Sequence, residues 1–477
     1  MYYILNEPWC LRGYEDQLMQ LEQYGSTEFP FRLTYPLFLL LSKCDGNTCL
    51  DDASEKEREI LDYYISRNVV SRTETKAELK PWQKYRHIQN RRIPHAFLSI
   101  TGRCNLNCRH CFMAQDTYQK PSELTYEQIV SLLDQFCECG IVNITVTGGE
   151  PLLHPEFEKI VRAMKERNLK MFRLYTNGVL FSGDTVRILQ ENGMTPEIVI
   201  SFDGLGTHDW LRQSSGAEEA AKRAISLASE SGFPVKAAIN LNHATLPVLT
   251  ETCRFVYKLG ARTVFLIRTS ESPKWLAGEN HCLSFDEYWE ACLHTVCELR
   301  ELNKKDLTIA MFNAPAIRPG ETLESFRHGS EYKYASKYIH DSAWCFKCLY
   351  TPFISSTGRV LPCDAFEGAS LMTGYLENGC NVLQRPLQEI LNDSEYAEIM
   401  KTSVDDVLAD NPECRCCEYL ARCRAGQCRA SGNMFFAADH GATFANVKIN
   451  VTRKGLMTCR LYKGGYYDRL LKILEET

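Results

Sequence analysis

The stretch Ser99-Ile-Thr-Gly-Arg-Cys-Asn-Leu-Asn-Cys-Arg-His-Cys111 decides how the rest of the chain is read. It overlaps an apolar run, Ala96-Phe-Leu-Ser-Ile100, with the pattern of a buried strand. Cys104, Cys108 and Cys111 follow in C-x3-C-x2-C spacing. Three thiolates on one short loop suit three corners of a cubane iron-sulfur cluster and leave the fourth iron open to a small molecule. A tetrahedral zinc needs a fourth N or S donor, and His110 could supply it only by straining the loop, since it adjoins Cys111. A disulfide runs against a reducing compartment.

Working outward, 477 residues exceed one ordinary core and imply about three domains. Hydrophobic content of 44% and charged content of 24% are those of a globular chain, and a net charge of -6 gives no general reason to bind nucleic acid or an anionic membrane. No uninterrupted apolar run reaches bilayer length, and Met1 to Trp9 lacks the basic and apolar regions of a secretory signal. A cytoplasmic location is expected. There the 22 cysteines point to metal or catalysis rather than to disulfides. Cys44, Cys137 and Cys253 sit in apolar contexts and read as small core residues.

Residues 94–275 alternate strand and helix. Apolar runs at Ala96–Ile100, Val142–Val146, Met171–Tyr175, Ile198–Phe202, Val235–Ile239 and Thr263–Ile267 are separated by segments of helical periodicity. Six β-α units imply an α/β fold, a parallel sheet curled into a partial (β/α)6 barrel, with the active site at the C-terminal strand ends. The polar loops fall at those ends. Thr147-Gly148-Gly149-Glu150-Pro151 ends the second strand, where glycines let a backbone come close and a carboxylate can receive an ammonium group. Thr176-Asn177-Gly178 ends the third, Ser201-Phe-Asp203-Gly204 the fourth, Asn240 the fifth and Arg268 the sixth.

This constellation resembles the radical S-adenosylmethionine (radical SAM) superfamily. The resemblance implies one 4Fe-4S cluster on Cys104, Cys108 and Cys111, whose open iron chelates the amine and carboxylate of SAM and whose reduced form cleaves it to a 5'-deoxyadenosyl radical. It further implies that Gly148, Gly149 and Glu150 bind the methionine amine and that Ser201 and Asp203 meet the ribose or carboxylate, with Asn177, Asn240 and Arg268 lining the pocket. One departure is His110, where an aromatic residue is usual; its planar ring makes it a tolerated variant.

Two further regions flank the barrel. In residues 1–73, Tyr2–Leu5 and Trp9–Arg12 read as strands, Pro36–Gly46 and Glu55–Arg67 as helices and Asn68–Arg72 as a strand, with Ile60, Leu61, Tyr64 and Ile65 on one helical face. The order resembles winged-helix-like domains that bind precursor leader peptides by adding a strand to a sheet edge; a dimerisation or capping module is the alternative. Residues 74–93 are polar and basic and read as a surface linker, either a solvated tether or an attractor of acidic peptide. Residues 276–340 read as a bridge, with Phe285–Leu302 helical.

Within residues 341–477, Cys345, Cys348 and Cys363 flank a hairpin over Phe353–Pro362 and are followed by Cys414, Cys417, Cys423, Cys428 and Cys459. This resembles the SPASM extension of radical SAM peptide maturases. The resemblance implies three 4Fe-4S clusters in all, auxiliary cluster I on Cys345, Cys348, Cys363 and Cys428 and auxiliary cluster II on Cys414, Cys417, Cys423 and Cys459. Cys416 is an extra thiol able to exchange in, and a zinc ribbon over Cys414–Cys423 stays open as an alternative. Asp364 occupies the place of a base in sulfatase-maturing relatives, or hydrogen-bonds beside the cluster.

With Leu5-Asn-Glu-Pro-Trp-Cys-Leu-Arg12, the domain order resembles maturases of cysteine-rich peptides, including the ruminococcin C type of sactipeptide synthase. What that implies is a thioether between a cysteine sulfur and a carbon of a precursor peptide, with electrons from a flavodoxin or ferredoxin and no nucleic-acid or membrane partner. Carbon-carbon or carbon-oxygen crosslinking, side-chain oxidation, and small-molecule or RNA chemistry share the motifs. A scaffold with purely structural clusters would have no use for the Gly-Gly-Glu and Ser-x-Asp-Gly loops.

Overall fold

The computed structural model describes residues 1–111, 122–270, 272–278, 281–330, 351–364, 366, 379–423 and 456–475. Two compact units divide the chain, residues 1–95 with 133–143 and residues 96–132 with 144–477.

In the first unit, β1 (Tyr2–Leu5) is the centre of an antiparallel sheet ordered β5 (Asp45–Cys49), β1, β6 (Val70–Thr73). A second sheet orders β4 (Phe31–Arg32), β3 (Gln17–Gln23), β2 (Trp9–Tyr14) and β7 (Arg86–Ile88), the last running parallel to β2. Helices form at Tyr35–Ser42, ending short of the expected Gly46, which lies in β5, and at Glu55–Ser66, the latter opened by a capping box between Ser54 and Glu57. Leu61 is fully buried with Leu5, Leu11, Leu21, Leu40 and Leu41, and Ile60, Tyr64 and Ile65 pack against that core. Sequence reading passed over β3 because its buried Gln20 and Glu22 look like a surface pattern, and β5 because Asp-Gly-Asn-Thr looks like a turn. The unit therefore holds a four-stranded sheet beyond the elements expected of a winged-helix-like domain.

Residues 74–93 belong to this unit and are not a solvated tether. Gln83 donates to the carbonyls of Leu5 and Trp9 at 3.0 and 3.2 Å, Ile88 and Ile93 are buried, and Arg92 Nε donates to Glu22 Oε2 at 3.0 Å. Basic composition concealed these few inward side chains.

The second unit is built on one nine-stranded sheet. Its order is β14 (Thr308–Met311), β13 (Thr263–Arg268), β12 (Val235–Leu241), β11 (Glu197–Ser201), β10 (Lys170–Thr176), β9 (Asn143–Gly148), β8 (His95–Thr101), β15 (Phe353–Ile354) and β16 (Val360–Leu361). The pairs from β10 through β14 are parallel, as is β15 with β8, while β15 and β16 form an antiparallel hairpin. All six expected strands are present with their intervening helices. Beyond them β14 adds a seventh parallel strand and the hairpin extends the opposite edge. Four residues of Thr-Ile-Ala-Met were too short a pattern to announce β14.

Central strands carry near-continuous apolar runs, as burial on both faces demands: Ile198, Ile200, Ala237, Ile239, Val264 and Leu266 are fully buried. Helix Ala217–Glu230 turns Ala217, Ala220, Ala221, Ala224, Ile225 and Ala228 inward. These small side chains permit close approach to the loop after β10, where a Cβ on Gly178, at φ +85°, would stand 3.1 Å from that of Ala224.

Helices Leu456–Lys463 and Tyr466–Glu475 dock on helix Phe285–Glu298. Trp289 Nε1 donates to the Met457 carbonyl at 3.2 Å, Tyr466 Oη to Asp286 at 2.7 Å and Arg469 Nη2 to Glu290 at 2.8 Å. Among the described residues no helix is long and apolar enough to cross a membrane.

The Glu22–Arg92 pair, about one-tenth exposed on each side, also takes the Tyr14 hydroxyl at 3.0 Å. Glu22→Ala strands a guanidinium in the interior and should destabilise this unit by about 3–5 kcal/mol in chemical denaturation, with Glu22→Ala/Arg92→Met recovering most of the loss. A loss below about 1 kcal/mol would reduce residues 74–93 to a tether.

Candidate active site

The cysteine loop leaves β8 and is clamped at once by the end of β9. Gly149 N donates to the Thr101 carbonyl and Glu150 N to the Arg103 carbonyl, both at 2.8 Å. A Cβ on Gly148 would lie 2.3 Å from the Thr101 oxygen and one on Gly149 2.3 Å from the Arg103 oxygen. The two glycines thus let one backbone meet the cysteine loop, where the sequence suggested approach to a ligand.

Glu150 does not face solvent. Its buried carboxylate accepts from Leu152 N at 3.2 Å, Thr176 Oγ1 at 2.9 Å and Asn177 N at 2.8 Å, joining the ends of β9 and β10. Burial raises its pKa from 4.5 to about 7, opposed by these three hydrogen bonds. Beyond it, Asn177 Nδ2 donates to Asn105 Oδ1 at 2.8 Å and approaches Cys104 Sγ at 3.9 Å, and its own Oδ1 takes the Val179 amide.

The end of β11 reaches the same loop through an arginine that the sequence reading missed. Asp203 is buried and held by Arg212, Nε to Oδ2 at 2.6 Å and Nη2 to Oδ1 at 3.1 Å. Arg212 Nη1 donates to Cys108 Sγ at 3.6 Å. Burial alone would raise the Asp203 pKa; the Arg212 guanidinium holds the carboxyl far below the ordinary range. Arg212 is correspondingly raised against its own desolvation. The cue lay nine residues beyond Asp203, on a helix, His208–Arg212, too short for periodicity to reveal.

Further donors close around the loop. Arg109 N donates to the Leu211 carbonyl at 2.8 Å, its Nε to the Trp210 carbonyl at 3.0 Å, and Lys274 Nζ to the Asn107 carbonyl at 3.0 Å. Nδ1 of His110 is buried without a hydrogen-bond partner, and burial, then the charge of Arg212, lowers its pKa to about 3. Ser201 and Asn240 are half-buried at their strand ends, Asn240 accepting from the Thr269 hydroxyl. Arg268 is directed elsewhere: its guanidinium lies over the Phe285 ring at 4.9 Å and bonds the Leu283 carbonyl.

The donor set fits an iron-sulfur cluster. Three thiols lie on one loop, Cys104 exposed, Cys108 buried and Cys111 between, with N–H groups aimed at the sulfurs of Cys104 and Cys108. The described Cys44 and Cys253 are fully buried thiols and act as packing.

A second cysteine site forms in the C-terminal region. Cys414, Cys417, Cys423 and Cys459 line one small pocket with Tyr419, Leu420, Tyr462 and Lys463. Docking of helix Leu456–Lys463, with Tyr419 and Tyr462 stacked at 6.1 Å, brings Cys459 to the other three. Among the described residues no three His, Cys, Asp or Glu side chains stand close enough to hold a single metal ion. Cys363 is half-buried at the end of β16 and Asp364 beside it is exposed. Cys345, Cys348 and Cys428 lie outside the described residues.

This architecture has a family counterpart. Residues 98–254 match the model of the Radical SAM superfamily, and this part of the chain is a radical SAM domain. A radical SAM domain implies SAM and a 4Fe-4S cluster. The chain is 27% identical over 350 residues to the AdoMet-dependent heme synthase of Methanosarcina barkeri, covering 70% of this chain and 92% of that protein. Over 187 residues it is 29% identical to the sporulation killing factor maturation protein SkfB of Bacillus subtilis, 38% of this chain and 45% of that one. In fold it is similar to Streptococcus suis SuiB bound to precursor peptide SuiA, with TM-score 0.64 and 16% identity over 90% of this chain and 96% of SuiB.

The raised Glu150 pKa sets a pH dependence. Below pH 4.5 the carboxyl is protonated folded or unfolded; as pH rises toward 7 the unfolded chain ionises first, so the folded state loses stability. Between those limits the loss should total about 3 kcal/mol in the cluster-free protein, and Glu150→Gln should abolish that slope in paired denaturation curves.

Proposed function

We propose that the chain is a radical SAM peptide maturase that joins a cysteine sulfur to a carbon of a ribosomally made precursor peptide. The observation that carries the reading is the convergence of the β9, β10 and β11 ends on the loop of Cys104, Cys108 and Cys111. Those thiols would hold a 4Fe-4S cluster with one open iron, which supplies reductive cleavage of SAM and hence hydrogen abstraction from an unactivated carbon. Glu150 fixes the β10 loop through Asn177, while Ser201, Asp203 and Asn240 border the strand ends where SAM would lie. Arg268 organises the segment around Leu283.

Cys414, Cys417, Cys423 and Cys459 are assigned to one auxiliary cluster, supported by their common cavity. Cys345, Cys348, Cys363 and Cys428 are assigned to another on the resemblance to the SPASM extension alone, with Asp364 as a base beside it. A flavodoxin or ferredoxin is the expected electron source, in the cytoplasm.

A peptide partner is supported by the surface of the first unit. Leu18, Phe29, Phe31, Tyr35, Leu39, Tyr63 and Tyr85 are exposed there, against only Leu180, Trp210, Leu276 and Leu383 among the described residues of the second. SuiB, with its precursor peptide, supports the same reading through the fold. The thioether rests on the resemblance of the Leu5–Arg12 stretch and of the whole domain order to maturases of cysteine-rich peptides. Chemistry on a heme-related small molecule is the second reading, favoured by the identity to the heme synthase.

Anaerobic protein should bind iron and sulfide in cubane ratio and cleave SAM reductively, and Cys104→Ala/Cys108→Ala/Cys111→Ala should lose that cleavage entirely; retained cleavage sinks the site. With a candidate precursor peptide, mass spectrometry should show loss of two hydrogens that survives thiol alkylation, whereas turnover of a heme precursor instead would select the second reading. Phe31→Asp should weaken peptide binding about tenfold while leaving uncoupled SAM cleavage unchanged, as read by fluorescence anisotropy.

A further inference from the structure

We infer that Arg212 and Asp203 together set the reduction potential of the cluster on the cysteine loop, the guanidinium raising it through Cys108 and the carboxylate restraining that rise. The inference rests on the reading that Cys104, Cys108 and Cys111 hold that cluster.

The arrangement is specific. Arg212 spends Nε and Nη2 on the two oxygens of Asp203, and this fork leaves Nη1 to donate to Cys108 Sγ at 3.6 Å. Asp203 cannot turn away, because Oδ1 also takes the Asn240 amide at 3.2 Å and its own amide donates to His208 Nδ1 at 3.0 Å. Nor can Arg212 drift along the chain: Gln213, at φ +52°, ends its helix in a left-handed turn, and the Leu211 carbonyl is bonded by Arg109 of the cysteine loop. Cys104 meets neutral donors, the Leu106 amide at 3.5 Å and the Asn177 side chain at 3.9 Å. Cys108 meets a cation.

An N–H donated to a ligand sulfur, and net positive charge beside it, stabilise the more negative reduced cluster. Both partners are buried, Arg212 to 9% exposure and Asp203 to 1%, so water screens neither. The two residues therefore pull the potential in opposite directions. A merely structural ion pair would show no such opposition, since breaking it from either side does the same damage.

The test is an EPR-monitored redox titration of full-length, anaerobically reconstituted protein, following the reduced-cluster signal that changes when SAM is added. Arg212→Gln should shift its midpoint to lower potential and Asp203→Asn to higher potential, with Arg212→Lys falling between wild type and Arg212→Gln. Unchanged midpoints at wild-type iron content, or shifts of the same sign in Arg212→Gln and Asp203→Asn, overturn the inference. If Arg212→Gln fails to retain iron, Arg212→Lys and Asp203→Asn decide: opposite signs support it, equal signs overturn it. Absence of any SAM-sensitive signal in the wild type overturns the cluster reading itself and this inference with it.

Discussion

The second unit depends on the contact between two backbones at the mouth of the sheet. Thr101 to Arg103, carrying the cysteine loop away from β8, lies so close to Gly148 and Gly149 that either would-be Cβ falls 2.3 Å from a carbonyl oxygen. Hydrogen bonds from the Gly149 and Glu150 amides then fix the base of the loop to the end of β9. Once that is settled, the placement of three thiols relative to the sheet has little freedom left. Preorganisation of this kind lets a site built on loops keep geometry that loops rarely hold.

Around this base the unit buries charge rather than avoiding it. Glu150 links β9 to β10 through Thr176 and Asn177, and Asp203 links β11 to Arg212 and thence to Cys108. Buried carboxylates are costly unless every oxygen is bonded, and here each has two or more donors or a fork. The outcome differs by partner: Glu150, bonded only to neutral groups, has its pKa raised to about 7, while Asp203, facing a guanidinium, is held ionised. Two acids at the ends of β9 and β11, one strand apart, are thus given opposite tendencies by their surroundings.

The two regions outside the barrel motif contribute in different ways. In the first unit, a core of leucines and a buried Glu22–Arg92 pair leave a set of aromatic side chains, Phe29, Phe31 and Tyr35 among them, facing water. In the second, the C-terminal helices are fastened to helix Phe285–Glu298 by ion pairs and by Trp289, and that fastening makes a cysteine pocket out of residues 36 positions apart, Cys423 and Cys459.

What the sequence determined by itself was local: the strand-helix alternation from Ala96 to Ile267, the polar loops at one end of the strands, and the cysteine spacing, because periodicity, turn residues and ligand spacing are properties of short segments. It also supplied the grouping of Cys414, Cys417 and Cys423 with Cys459, through resemblance rather than through any pattern in the residues between them. Only the tertiary structure decided that Arg212 reaches Cys108, that Glu150 is spent on Asn177, that Arg268 turns away to Phe285, that β14 continues the sheet and that residues 74–93 are part of a core. Each of these depends on side chains or strands distant in sequence meeting in space, and a single chain read along its length carries no record of which partner a buried polar group finds.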